Sequence, residues 1–195
     1  MAERVAIQAE LQALEAALDA AERDAYAVVT GLTEAQGQWR AQAGQWSIAE
    51  CLEHLATANT VYLEAMKEPA ARARANGRLR RGPAKPGLLG GWFVRSLEPP
   101  VNPRFKTKAP RKIQPHSSPG LQDAFRNFLA SQEAVRAFLR ANADLDLAGV
   151  RFPNPLVRGV RFSLATGLHV IPAHERRHLW QARRIREQVL GTGLE

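Results

Sequence analysis

Disulfides are the first thing this chain does without. One cysteine, Cys51, in 195 residues cannot form an internal bridge, so the fold does not depend on an oxidising compartment. Long apolar runs are missing too: no segment approaches the roughly 18 uncharged apolar residues that a membrane span requires, and the first twenty residues carry charges throughout. The expectation is a soluble, cytoplasmic chain with no signal peptide and no membrane partner. Acids are scarce in one place. Between Pro69 and Ser118, twelve basic residues face a single acid, Glu98, a local charge of +11 in a chain whose net charge is +8. The rest of the chain is therefore mildly acidic, and the basicity belongs to one segment. Many of the prolines and glycines lie in that segment, which excludes a regular helical face. Without aromatic interleaving or a nucleic-acid motif, nucleic acid is not the expected partner.

The length fits one domain over residues 1–195, with residues 69–118 as a basic connection inside it. Apolar residues recur at three- and four-residue steps in four blocks. The first runs from about Glu3 to Thr30 through Ile7, Leu11, Leu14, Leu18 and Ala21, and GLTEAQGQWRAQAGQ breaks it. The second begins at Ser47, where Ser47 and Glu50 have capping-box spacing. Its stripe is Ile48, Leu52, Leu55, Asn59, Tyr62 and Met66. From Glu68 to Ser118 the pattern dissolves, apart from GLLGGWFVRSL, which reads as a local helical turn. So long a connection in a compact domain is functional, disordered or a lid. As a lid it would cross one end of the bundle, with Leu88, Leu89, Trp92 and Phe93 docked on the helices. Pro119 suits the start of the third block, which reaches about Asn142 through Leu121, Phe125, Phe128, Leu129, Val135 and Phe138. Prolines in DLDLAGVRFPNPLVRGVRF forbid a continuous helix, and the fourth block runs from about Ser163 to Leu190, with Gly191 placed to end it. Little reads as strand. The expected fold is all-α, a four-helix bundle.

Histidine is scarce, so its placement carries information. His174 and His178 lie four residues apart, within about 40° of arc on one helix face, on the same arc as Val170, Ile171, Ala182, Ile185 and Val189. Burying an imidazole without a partner costs roughly 1–3 kcal/mol. A metal ion is one such partner, and in a bundle core it needs ligands from at least two facing helices. His169 falls roughly 140° away from His174 on a regular helix, and His116 lies in the connection. His54 remains, at the shoulder of the second stripe. Three neutral imidazoles leave at least one coordination position open, as a catalytic metal requires. The spacing alone leaves another reading open, in which the histidines are merely hydrogen-bonded or exposed.

Neighbouring residues have simpler explanations. Glu50 reads as a cap, Cys51 as a small buried residue, and Trp46 and Trp180 as packing aromatics. Gln181 shares the arc of the two histidines of the fourth block and reads equally as a residue that bonds within the site or as a bundle-core glutamine bonded to backbone. Arg177, nearer the buried arc, is expected to pair with an acid on another helix or with an anionic cofactor, and Arg176 to be solvated. Pro172 is the weak point of the facial assignment, because proline can kink a helix.

WSIAECLEHL on the second block and HERRHLWQARRI on the fourth, with the intervening order of elements and the segment GLTEAQGQWRAQAGQWS, resemble the DinB-like superfamily of metal-binding four-helix bundles. The resemblance spans most of the chain. It implies metal ligands at His54, His174 and His178, a divalent ion such as zinc, nickel or iron, and a small-molecule substrate. Members of that superfamily include transferases that use low-molecular-weight thiols such as bacillithiol, mycothiol or glutathione, a thiol-dependent maleylpyruvate isomerase, and proposed hydrolases. The resemblance thus implies a metal-dependent thiol transferase or a hydrolase. Bundles of this kind often form homodimers through exposed helix faces, although the stripes identify no dimer surface here. The competing reading is a non-enzymatic bundle whose basic segment binds nucleic acid or another acidic partner.

Overall fold

The computed structural model describes residues 2–100, 109–115 and 118–194, so His116 and the basic residues Arg104, Lys106 and Lys108 fall outside the described part. The four periodic blocks become four long helices: α1 over Ala2–Val29, α3 over Ile48–Ala75, α5 over Leu121–Ala141 and α6 over Leu164–Leu190. Around the bundle, α3 packs on α5 and α6, and α1 closes the ring against the same two helices. The α1–α3 and α5–α6 pairs are therefore the diagonals. Each apolar stripe faces inward, as the sequence periodicity requires.

Helix starts follow local chemistry. Ser47 and Glu50 make the expected capping box, each side chain bonded to the other's backbone N–H. Ser163 caps α6 by accepting from the Thr166 N–H at 3.1 Å. The break after α1 holds a short helix, α2 (Glu34–Gln38), with its own capping box between Thr33 and Gln36. Glu34 in turn accepts from the N–H groups of Leu121 and Gln122, supplying the cap that Gly120 lacks.

Three features depart from the sequence reading. Helix α3 does not dissolve at Glu68 but continues through Pro69 to Ala75, whereas α6 runs unbroken through Pro172 as its expected span from about Ser163 to Leu190 requires. In both, tertiary packing of the apolar stripe outweighs the one backbone hydrogen bond that proline removes. A small antiparallel ladder, β1 (Arg151–Pro153) with β2 (Arg161–Ser163), precedes α6 and buries Phe152 and Phe162. The apolar piece of the connection forms a full helix, α4 (Leu88–Leu97), packed on α6. Its docked side is Gly90, Phe93, Val94 and Leu97. Leu88, Leu89 and Trp92, expected to dock, are instead 97%, 65% and 61% exposed. A ten-residue helix can bury only one face, and Phe93 takes it by packing 5.1 Å from the Phe162 ring.

The core divides into two apolar regions. One gathers Leu14, Leu18, Met66, Leu139 and Phe152, the other Val28, Leu52, Phe128 and Leu179. Between them each inner helix contributes polar groups at one level: Asn59 from α3, Ser131 and Gln132 from α5, and Glu175 from α6, all buried. Gly167 marks a close approach of α6 to its neighbours, since a β-carbon there would meet Met66 Sδ at 2.6 Å.

Candidate metal centre

His54 projects from the second turn of α3, and His174 and His178 project from successive turns of α6. Because α3 and α6 are adjacent in the ring, the three imidazoles meet. Ring centroids are 4.9 Å apart for His54 and His174, 4.5 Å for His54 and His178, and 4.7 Å for His174 and His178. One ligand atom from each lies within 4.8 Å of the other two, a cluster that could hold a metal ion. His54 Nε2 and His174 Nε2 are 3.2 Å apart.

Hydrogen bonds orient two of the rings. His54 donates from Nδ1 to the carbonyl of Ile113 at 2.6 Å, and His178 donates from Nδ1 to Gln181 Oε1 at 3.1 Å. A ring that donates from Nδ1 presents a lone pair on Nε2, so both turn an acceptor nitrogen toward the cluster. Burial keeps all three neutral. It lowers the pKa of His54 to about 4 against the opposing bond to Ile113, and that of His174 to about 3, assisted by His54 and Arg177. His178 is held well below the usual value by burial, then by His174, His54 and Arg177. Metal ligation needs the neutral imidazole, so this environment matches that state.

Trp46, just before α3, covers the cluster with its ring 4.6 Å from His54 and 5.6 Å from His178. It is a packing aromatic, as the sequence suggests, and what it packs on is the histidines. Trp180 stays outside and stacks under Arg184 at 4.9 Å. His169 donates to the carbonyl of Ala165 at 2.8 Å and takes no part in the cluster.

The neighbours of His54 are committed elsewhere. Burial opposes the charge of Glu50, but bonds from Arg40 and from the Ser47 backbone outweigh it and hold the carboxyl below its usual value. Arg40 grips it with two bonds of 2.8 and 2.7 Å. Burial, and then the charge of Glu50, push the Cys51 thiol up, so it stays protonated and outside the cluster. Arg176, expected to be solvated, pairs with an acid instead. Arg176 forms a two-bond ion pair with Glu98 on the connection, the shorter contact 2.5 Å. Arg177 is half-buried with no ion pair among the described residues, and burial lowers its pKa. Glu98 is the only acid in the connection, and Arg176 takes it.

Sequence reasoning did not single out Glu175, beside His174. It is fully buried and accepts from Asn59 Nδ2 at 2.8 Å and Gln132 Nε2 at 3.1 Å. Burial raises its pKa to about 7 despite those bonds. A glutamate on the apolar side of a helix was the available signal.

The family model of the DinB superfamily matches residues 17–182, a stretch that contains all three clustered histidines. The chain belongs to the DinB superfamily. No curated protein and no solved structure matches it. Membership accords with the all-α fold of four long helices. Among the described residues of this DinB-superfamily chain, no helix is long and apolar enough to cross a membrane.

Proposed function

We propose that this DinB-superfamily protein binds one divalent metal ion through His54, His174 and His178 and uses it to activate a low-molecular-weight thiol or a water molecule, as a transferase or a hydrolase. The observation that carries the reading is the convergence of three imidazoles from two helices, with no carboxylate or thiol among them in the described residues. A nitrogen-only donor set suits zinc, nickel or iron and disfavours calcium or magnesium. Three protein ligands fill only part of a tetrahedral or octahedral shell. A divalent cation there would supply Lewis acidity and lower the pKa of a thiol or water that reaches it.

The chain's own residues would prepare that step. Ile113 and Gln181 fix the orientation of His54 and His178, the kind of outer bond that holds metal-ligating histidines in place. Trp46 shields one side of the cluster from water. Arg177, positive and without a carboxylate partner among the described residues, favours an anionic ligand over a cationic one. Cytoplasmic location and a single domain over residues 1–195 belong to the same reading.

The alternative, a basic segment that binds nucleic acid, loses support from its ion pairs. Arg74 is bonded to Asp144, Arg78 to Asp146 and Arg80 to Glu10, so these charges tie the connection to the bundle. The experiment is metal analysis of protein purified without a histidine tag, followed by a screen of thiols against electrophiles. About one equivalent of zinc, nickel or iron with metal-dependent turnover supports the proposal. Substoichiometric metal that does not rise on reconstitution defeats it.

A further inference from the structure

A second charged concavity lies far from the histidines. Glu68, Arg72 and Asn76 recur at four-residue steps along one stripe of α3, and the stripe begins about 21 Å along the helix from His54. Facing it is the outer side of the β1–β2 ladder, which carries Arg151 and Arg161 while Phe152 and Phe162 point into the core. Arg78 closes one end. Together they enclose about 400 Å³ over a floor that includes Pro69, Ala73 and Val150. This is within the size range of small-molecule sites.

The charge there does not cancel. Arg72 is paired with Glu68 and Arg78 with Asp146. Arg151 and Arg161 have no carboxylate partner among the described residues, and Arg161 only donates to the Arg151 carbonyl at 3.3 Å. The groove is left with two uncompensated guanidinium groups on neighbouring strands. The C-terminus of α3, which would repel an anion, is quenched: Asn76 N–H bonds the Arg72 carbonyl at 3.1 Å and Arg78 N–H the Ala73 carbonyl at 2.9 Å. Gly77, at φ +61°, makes that closure sterically easy.

We propose that this groove binds a small phosphate monoester, with the phosphoryl oxygens on Arg151 and Arg161 and the organic part on the Pro69, Ala73 and Val150 floor. A phosphate monoester carries about −1.5 to −2 charges at pH 7, which matches the two free cations. Guanidinium groups suit phosphate because their planar donors bind its oxygens in pairs. The apolar floor adds a preference for an ester over the bare ion. Nothing in this site depends on metal at the histidines.

Phenyl phosphate, inorganic phosphate and benzoate, each titrated at constant ionic strength and followed by amide NMR shifts, test the proposal. Phenyl phosphate should bind most tightly, moving the amides of Ala73, Val150, Arg151 and Arg161. The double change Arg151→Gln with Arg161→Gln should weaken it at least about tenfold, in line with the loss of charge-assisted hydrogen bonds. Arg158→Gln, in the same hairpin but not lining the groove, should change it less than about twofold. The wild-type shift map stands whether or not the double variant folds. Shifts elsewhere, equal loss in Arg158→Gln, benzoate binding as tightly as phenyl phosphate, or saturation by duplex DNA without any phenyl phosphate binding would each overturn the assignment.

Discussion

His54 on α3 donates its Nδ1 proton to the carbonyl of Ile113, 2.6 Å away and 59 residues later in the chain. Ile113 sits in a short 3-10 turn, Arg111–Ile113, with its side chain 2% exposed. The end of the long basic connection is thus anchored apolarly and presents one backbone oxygen to the histidine cluster. Replacing Ile113 by Ala should cost about 2–5 kcal/mol of stability. It should also weaken cobalt binding about 10- to 100-fold, because the carbonyl would no longer fix the ring. Denaturant melts and cobalt titration separate the two effects. Unchanged cobalt affinity in a destabilised variant would show that the carbonyl does not orient His54.

His178→Ala should abolish stoichiometric metal binding, whereas His169→Ala should leave it nearly unchanged. The two residues lie on the same helix, but His169 is bonded to the Ala165 carbonyl and stands outside the cluster. Elemental analysis of both variants after dialysis is sufficient. Equal loss of metal would mean that α6 near Pro172 also aims His169 at the metal.

Metal-free protein should lose stability as pH falls. His54 and His174 titrate at about 4 and about 3 in the fold, against about 6.5 when unfolded, and His178 is also well below its usual value. The unfolded chain therefore takes up protons first. The stability these groups contribute is present above about pH 6.5 and drains away down to their folded pKa values, by up to about 1.4 kcal/mol per pH unit for each group. Urea midpoints measured from pH 7.5 to 4.5 should decline, and prior loading with zinc should flatten the upper part of that decline. A flat metal-free profile would show that the histidines are not buried as neutral groups.

Glu175→Gln should be tolerated and should stabilise the protein at pH 8 relative to wild type. A carboxyl raised to about 7 in the fold from an ordinary value near 4.5 contributes stability below the lower value that is lost as pH rises through the upper one. The amide removes that penalty. Gln132 Oε1 has no hydrogen-bond partner among the described residues, so a turn of the Gln132 amide can offer it to the new donor. Thermal melts at pH 6 and 8 give the comparison; greater destabilisation at pH 8 than at pH 6 would contradict the charge argument.

The two faces of α4 should respond oppositely to mutation. Trp92→Ser removes an exposed ring and should change stability by less than about 0.5 kcal/mol. Phe93→Ala removes the ring that packs on Phe162 and should cost about 3 kcal/mol. Denaturant unfolding of both variants measures the difference. Equal effects would place the docked face elsewhere.

The long helices were legible because periodicity is a local property: apolar residues at three- and four-residue steps must share a face, whatever the rest of the chain does. The same rule placed His174 and His178 together and His169 apart, and the capping box at Ser47 and Glu50 was complete within four residues. Helix ends at Pro69 and the burial of α4 were misread, because both turn on how much apolar surface a neighbouring helix covers. The ion pair of Arg176 has the same origin, since it depends on where Glu98 is carried by the connection.

By itself, the sequence determined the four long helices, which face of each is apolar, and that His174 and His178 share a core-facing arc from which His169 is excluded. Tertiary structure alone decided the rest of the site. The carbonyl of Ile113, the cover of Trp46, the polar layer around Glu175 and the arginine groove between α3 and the β1–β2 ladder all join groups distant in the chain. Their geometry follows from long-range packing and from backbone atoms that every residue shares, and neither leaves a periodic mark in the sequence.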